Sequence, residues 1–324
     1  MSMNTIKNMP EWLHKYIFEN LGAEEKPAPK EFCRNLHSDD AKNKIYLGTY
    51  FPRSFAESYC IHENLFRYEP YAEIVRDKES LSILSVGCGT GGDILGLLCA
   101  IDECCPSIRQ LDVVAFDGNH IAIDYLNDLL NLEPIKNRFT ITEHYVPLSV
   151  TSKDDIQHDI SQMGGSFDFI LSFKCINELM DAKILDKDAF KDIAEILCPK
   201  LNETGLLTLL DVTDKHCGVW QSKNLNSGLG SFHRSNTNFK SLLPVPCHFY
   251  SHKCVGGRCF TNKKFYGTFT SEDKVVYRVI GRTAFVDQLY PSIKDGISYI
   301  KNVDMEPCPG FRGKPLADSF DINS

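Results

Sequence analysis

Residues 81–93, Leu-Ser-Ile-Leu-Ser-Val-Gly-Cys-Gly-Thr-Gly-Gly-Asp, carry an apolar run straight into four glycines within six positions. That order predicts a strand, a tight turn and the start of a helix. Gly87, Gly89 and Gly91 can adopt positive φ, and without a Cβ they let the main chain approach a ligand closely. The first N–H groups of the following helix then face any anion lying at the turn. A purely structural turn uses the same residues, so the motif takes its meaning from its surroundings.

Those surroundings alternate between two periods. Short apolar runs at 81–86, 111–116, 139–146, 167–173 and 206–212 read as strands, and 93–101, 121–132 and 189–197 read as helices. Strands that are apolar throughout and separated by helices predict a mostly parallel sheet covered on both faces, a doubly wound Rossmann-like α/β fold. Such sheets bind ligands at the carboxyl ends of their strands. Ahead of this core, residues 1–79 read as a helical N-terminal cap. Trp12, Leu13, Tyr16, Ile17 and Leu21 recur at helical spacing after Pro10, residues 55–66 form a second amphipathic stretch, and the two prolines in 26–29 mark a linker. The core spans 80–230. The alternation breaks down after about residue 214, and residues 231–324 form a C-terminal region completing the core.

With 324 residues, 43% apolar and 24% charged, the chain has enough apolar surface for one or two globular domains and is not disordered. No run approaches the roughly 18 apolar residues of a membrane span. The first residues lack a long apolar stretch and include several acids, unlike a presequence, which predicts a mature cytoplasmic protein with no membrane partner. A net charge of −8 argues against a surface that is basic all over. Locally the sign reverses. Residues 231–282 hold nine cations (Arg234, Lys240, Lys253, Arg258, Lys263, Lys264, Lys274, Arg278 and Arg282) against Glu272 and Asp273, a net of +7. Either a polyanion meets this region, or it pairs with acids of the same chain.

Asp117, in Phe116-Asp-Gly-Asn119, ends the second strand, where a carboxylate can accept both hydroxyl hydrogens of a ribose. The structural alternative is capping of the helix that follows. Gly87-x-Gly-x-x-Gly92 also satisfies the dinucleotide fingerprint. Against a nicotinamide enzyme stand the long segment before the first strand and the lack of a second half-domain for the nicotinamide.

The glycine turn, Asp117, Phe167-Asp-Phe-Ile-Leu-Ser-Phe173 and Gly205-Leu-Leu-Thr-Leu-Leu-Asp211 together resemble the class I S-adenosylmethionine-dependent methyltransferases over about residues 80–213. The resemblance implies that S-adenosylmethionine is the cofactor. Gly87, Gly89 and Gly91 would face its methionine part, Asp117 would hold its ribose, and Ser85, Asn119 and Ser172 complete the candidate cofactor set. The residues around Ser172 to Glu178 would line the transfer site, with Lys174, Asn177 and Glu178 as candidate catalytic residues. One departure stands out: the family commonly has an acid at the position of Ser85, so the contact to the methionine amino group is weakened or passes to another residue. Methyl transfer is an in-line displacement that gains chiefly from holding its reactants about 3 to 3.5 Å apart, and no dedicated base is obligatory. Ser172-Phe-Lys-Cys175 lacks the Asn/Asp-Pro-Pro-aromatic turn of base-amine methylating enzymes, and Cys175, with no preceding proline, reads as a buried thiol.

Thirteen cysteines in a chain without an export signal indicate buried thiols or a metal centre rather than a disulfide framework. Cys247, Cys254, Cys259 and Cys308 are the candidate ligands of a tetrahedral zinc site or a cluster, with His216, Cys217, His248 and His252 as substitutes, and chance grouping as the alternative. The segment Tyr46 to Ala56, Asn177-Glu-Leu179 and the Pro-Cys-His…Cys…Cys-Phe run resemble, more narrowly, the methyltransferase-like proteins of mitochondrial small-ribosomal-subunit assembly and their bacterial relatives. That resemblance implies a 4Fe–4S cluster on the four cysteines and rRNA, or the small ribosomal subunit, as partner. Two rival readings are a non-catalytic S-adenosylmethionine-binding assembly factor, and a methyltransferase of small molecules with no metal site.

Overall fold

The computed structural model describes residues 9–26, 39–147, 151–213, 215–244, 247, 261–266 and 270–296. They belong to two compact units, the first holding the described residues up to 147 together with those of 264–272, the second those of 151–263 and 273–296. The chain has a mixed α/β, mostly parallel, Rossmann-like fold.

In the first unit, β1 (Ser80–Val86) pairs in parallel with β2 (Gln110–Asp117), and β2 with β3 (Thr140–Pro147), in the order β3-β2-β1. Each strand runs about as the sequence predicts, because apolar runs bounded by polar residues can satisfy their backbone only in a ladder. β3 alternates between exposed and half-buried positions, as an edge strand does. The N-terminal segment supplies α1 (Glu11–Lys15, continued by a π turn to Asn20), α2 (Asp40–Thr49), α3 (Phe51–Arg67) and α4 (Glu69–Val75). α3 carries Pro52 in its first turn, where a proline loses nothing, and buries Phe51, Phe55, Ile61, Leu65 and Phe66. It packs on α5 (Gly92–Cys104), whose Ile94, Leu95, Leu97, Leu98 and Ile101 are all fully buried. α6 (His120–Leu130) and α7 (Glu133–Arg138) connect β2 to β3.

In the second unit β4 (Phe167–Phe173) runs parallel to β5 (Leu201–Val212). β5 continues in order to β10 (Thr270–Arg282) and β8 (Phe239–Leu243). β10 is antiparallel to both neighbours, with Val276 opposite Asp211 and Ile280 opposite Ser241. This reversal is why the strand-helix alternation fails after residue 214. Helices α8 (Lys153–Gln162), α9 (Ile176–Asp181), α10 (Ala189–Leu197) and α11 (Gln221–Ser235), a two-strand hairpin of β6 (Lys215–His216) and β7 (Val219–Trp220), and α12 (Thr283–Gly296) complete the unit, and β9 (Thr261–Tyr266) pairs with β10.

Three of the nine cations counted in the basic segment serve the second unit internally. Arg278 is 3% exposed and donates to the Tyr277 carbonyl and the Asn226 carboxamide. Arg282 donates to the carbonyls of Leu201 and Asn202, and Lys240 pairs with Asp287 at 2.8 Å. The full +7 is therefore not presented to a polyanion. Among the described residues no helix is long and apolar enough to cross a membrane. The linker expected at 26–29 falls beyond Lys26 outside the described residues.

Candidate functional site

The first unit builds a cradle at the carboxyl end of β1. Gly87, Gly89 and Gly91 have φ of 71°, 51° and 82°, the left-handed region in which a side chain is strained. At Gly89 a Cβ would meet nothing within 4 Å, so the turn presents bare backbone to open space there. The turn is fastened to β2: the N–H groups of Gly87 and Cys88 donate to the Phe116 carbonyl at 2.8 and 3.0 Å.

Asp117 fastens it a second time. Its Oδ2 accepts from the Gly89 N–H at 2.7 Å and its Oδ1 from the Asn119 N–H at 2.8 Å. A carboxylate offers about four acceptor directions. The carboxylate therefore keeps acceptor capacity for a hydroxyl donor. Burial raises the pKa of Asp117, opposed by the N–H groups of Asn119, Gly89 and Gly118. Capping of α6 falls to Asn119 rather than Asp117: its Oδ1 accepts from the N–H groups of Ile121 and Ala122, and its Nδ2 donates to Asn43 Oδ1 at 3.2 Å.

Ser85, fully buried, donates its hydroxyl to Asp93 Oδ2 at 2.6 Å. An acid in the first turn of α5 thus lies against Ser85. Asp93 is 2% exposed, and burial pushes its pKa up to about 6 against the opposing pull of Ser85 and the N–H groups of the helix start. Its carbonyl accepts from Ser58, which also meets His62, whose pKa burial lowers to about 4. Sequence reading passed over Asp93, because an acid in a helix's first turn is ordinary.

The second unit holds the candidate catalytic residues. Lys174 leaves β4 at φ 60°, and its N–H donates to the Leu210 carbonyl at 2.7 Å. Asn177 donates its N–H to Asp211 Oδ2 at 2.9 Å, while its buried Oδ1 has no hydrogen-bond partner among the described residues. Glu178 is half-buried on α9, Cys175 is half-buried just before it, and Ser172 is 1% exposed on β4 opposite Leu209. Asp211 was not among the expected site residues. It ends the apolar part of β5 fully buried, and burial pushes its pKa to about 7 despite the N–H groups of Val212 and Asn177 and the charge of Lys174.

Of the four candidate metal ligands, Cys254, Cys259 and Cys308 lie outside the described residues, and Cys247 is 6% exposed. Among the described residues no group of three or more His, Cys, Asp or Glu is placed to hold a metal ion.

No protein-family model and no curated protein matches the chain. Solved structures do match. A protein of Pyrococcus horikoshii described as a candidate RNA methyltransferase is 11% identical, with a TM-score of 0.41 over 83% of this chain and 98% of its own. The mitomycin 7-O-methyltransferase MmcR is 12% identical, with a TM-score of 0.40 over 85% and 69%. The precorrin-6y C5,15-methyltransferase of Geobacter metallireducens is 14% identical, with a TM-score of 0.36 over 69% and 87%.

Proposed function

We propose that the chain is an S-adenosylmethionine-dependent methyltransferase that acts on rRNA in small-ribosomal-subunit maturation. The observation that supports it best is the joint between the glycine turn and Asp117, made by the Gly89 N–H on a carboxylate that keeps acceptor capacity. Gly87, Gly89 and Gly91 would accommodate the methionine part of the cofactor, and Asp117 its ribose hydroxyls. Asp93, held by Ser85, is the carboxylate available to the methionine amino group. When bound, the cofactor supplies an electrophilic methyl group. Asn177, with an unused carboxamide oxygen, orients an acceptor that carries an N–H or O–H, and Asp211 fixes the main chain of Asn177. rRNA as acceptor rests on the sequence resemblance and on the excess of cations that the sequence carries in residues 231–282. The loss of three of those cations to internal contacts favours, as a second reading, a small-molecule acceptor.

Calorimetry with S-adenosylmethionine tests the cofactor site. Asp117→Ala is expected to weaken binding about 10- to 100-fold, the equivalent of ~1.5–3 kcal/mol for hydrogen bonds to a charged group. Asp117→Asn, which keeps one acceptor for the turn, separates loss of ribose contact from loosening of Gly89. Unchanged affinity in both, or binding of NADH in place of S-adenosylmethionine, ends the reading. Transfer of a labelled methyl group to small-subunit rRNA tests the acceptor; cofactor binding without transfer favours the assembly-factor rival. The four-cysteine centre belongs to the same proposal, and iron and sulfide in anaerobically purified protein are its measure.

A further inference from the structure

The hairpin β6–β7 carries an arrangement that methyl transfer does not use. Its two turn residues, Cys217 and Gly218, have φ of 46° and 80°, the conformation of a tight two-residue hairpin turn, which Gly adopts freely and Cys does not. The strained position lifts the Cys217 thiol into solvent beside the ring of His216, with Sγ 3.4 Å from Nε2. The opposite ring nitrogen, Nδ1, lies 2.7 Å from Asp181 Oδ1 at the end of α9. An ionised carboxylate only accepts, so Nδ1 carries the hydrogen and Nε2 turns its lone pair to the sulfur. Thiol, imidazole and carboxylate thus stand in the order nucleophile, base and orienting group. A cavity of about 430 Å³ opens at the thiol, with Lys183 and Lys187 on its wall and Asp186 as the one acid lining it among the described residues.

We propose that Cys217 is a nucleophilic thiol that exchanges with small disulfides bearing carboxylates, of the oxidised glutathione kind. His216 Nε2 takes the thiol proton, and the sulfur attacks one sulfur of the disulfide. The S–S bond of the ligand breaks, a Cys217–S–S–R bond forms, and the departing thiolate collects the proton from the imidazolium. The Cys217 sulfur is oxidised as the departing sulfur is reduced, so the step needs no further oxidant. Asp181 is a positioning residue that fixes the ring, and Lys183 and Lys187 pair with the ligand's carboxylates. The proposal stands independently of the methyltransferase reading.

The test incubates the reduced full chain near neutral pH with oxidised glutathione and, separately, with the uncharged bis(2-hydroxyethyl) disulfide. Modification of Cys217 is followed over time by peptide mass spectrometry. His216→Gln is expected to slow the reaction at least about tenfold and Asp181→Asn severalfold, as expected for loss of a general base and of its support. Lys183→Gln with Lys187→Gln is expected to lower the rate with glutathione disulfide while leaving the uncharged disulfide unaffected, which a general loosening of the fold would not do. Equal rates in wild type and His216→Gln overturn the proposal. So does a tightly held metal ion that shields Cys217 in the purified protein, since the nitrogen and sulfur would then be its ligands.

Discussion

Replacing Gly96 by alanine is expected to destabilise the protein by about 2 kcal/mol, although alanine is the better helix former by about 1 kcal/mol. A Cβ on Gly96 would overlap the Phe55 carbonyl oxygen and lie 2.9 Å from both Ser58 Cβ and Tyr59 N, distances that real Cβ atoms do not show. Two of these three neighbours are main chain of α3, so no rotamer change relieves them. The helices α3 and α5 must part instead, along a contact where Ile94, Leu95, Leu97 and Leu98 are fully buried. Overpacking of this kind costs roughly 1–3 kcal/mol, and more where backbone is the obstacle. α5 also begins at the glycine turn, so the same shift displaces Asp93 from Ser85. Denaturant unfolding measures the loss, with Gly164→Ala as control, since a Cβ there meets nothing within 4 Å. Equal stability of Gly96→Ala and wild type would show that α3 does not press on α5 as described.

How much of this was legible beforehand depends on the range of the physics involved. β4 and α10 have the bounds that the sequence predicts, because Phe167–Phe173 is a mainly apolar run and Ala189–Leu197 repeats its apolar residues at helical spacing. β5 starts five residues earlier than expected, at Leu201, since Asn202, Glu203 and Thr204 carry no apolar signal. α8 was missed although it had a local one: Ser152 and Asp155 form a reciprocal capping box, and Ile156 and Ile160 are one turn apart. α11 contains Gly228 and Gly230, poor helix formers, and a Cβ on Gly228 would crowd Phe190 of α10, so a distant contact decides there. The glycine turn was readable because its motif is local, and so was the position of Asp117, which ends an apolar strand. Asp93 and Asp211 were not, since what distinguishes them is burial, a tertiary property. Asp181 and His216 are 35 residues apart, and a two-residue strand leaves no periodicity to detect.

Asp211 is expected to make stability depend on pH. Burial holds its pKa near 7 against a usual value of 3.8, so the folded chain keeps the proton longer than the unfolded chain does. The sign follows from linkage: where the folded state binds more protons, stability falls as pH rises. The contribution is fully present below about pH 4 and is lost as pH rises through about 7, with a ceiling of about 4 kcal/mol at 1.36 kcal/mol per pKa unit. Asp211→Asn removes that slope. The carboxamide oxygen can still accept from the N–H of Asn177 or of Val212, but its NH2 group faces the other donor, a constant penalty of about 1 kcal/mol. Wild type is therefore expected to be the more stable chain near pH 4 and the variant the more stable near pH 8, with the curves crossing between. Asp93, whose pKa burial lifts to about 6, adds a slope of the same sign to both chains and cancels from the difference. Denaturant unfolding of the two proteins across that range is the measurement, and parallel curves would mean that Asp211 is ionised in the folded state without cost. A charged carboxylate kept at the end of β5 despite such a cost is consistent with a use for it, and the Asn177 main chain it holds is where that use would lie.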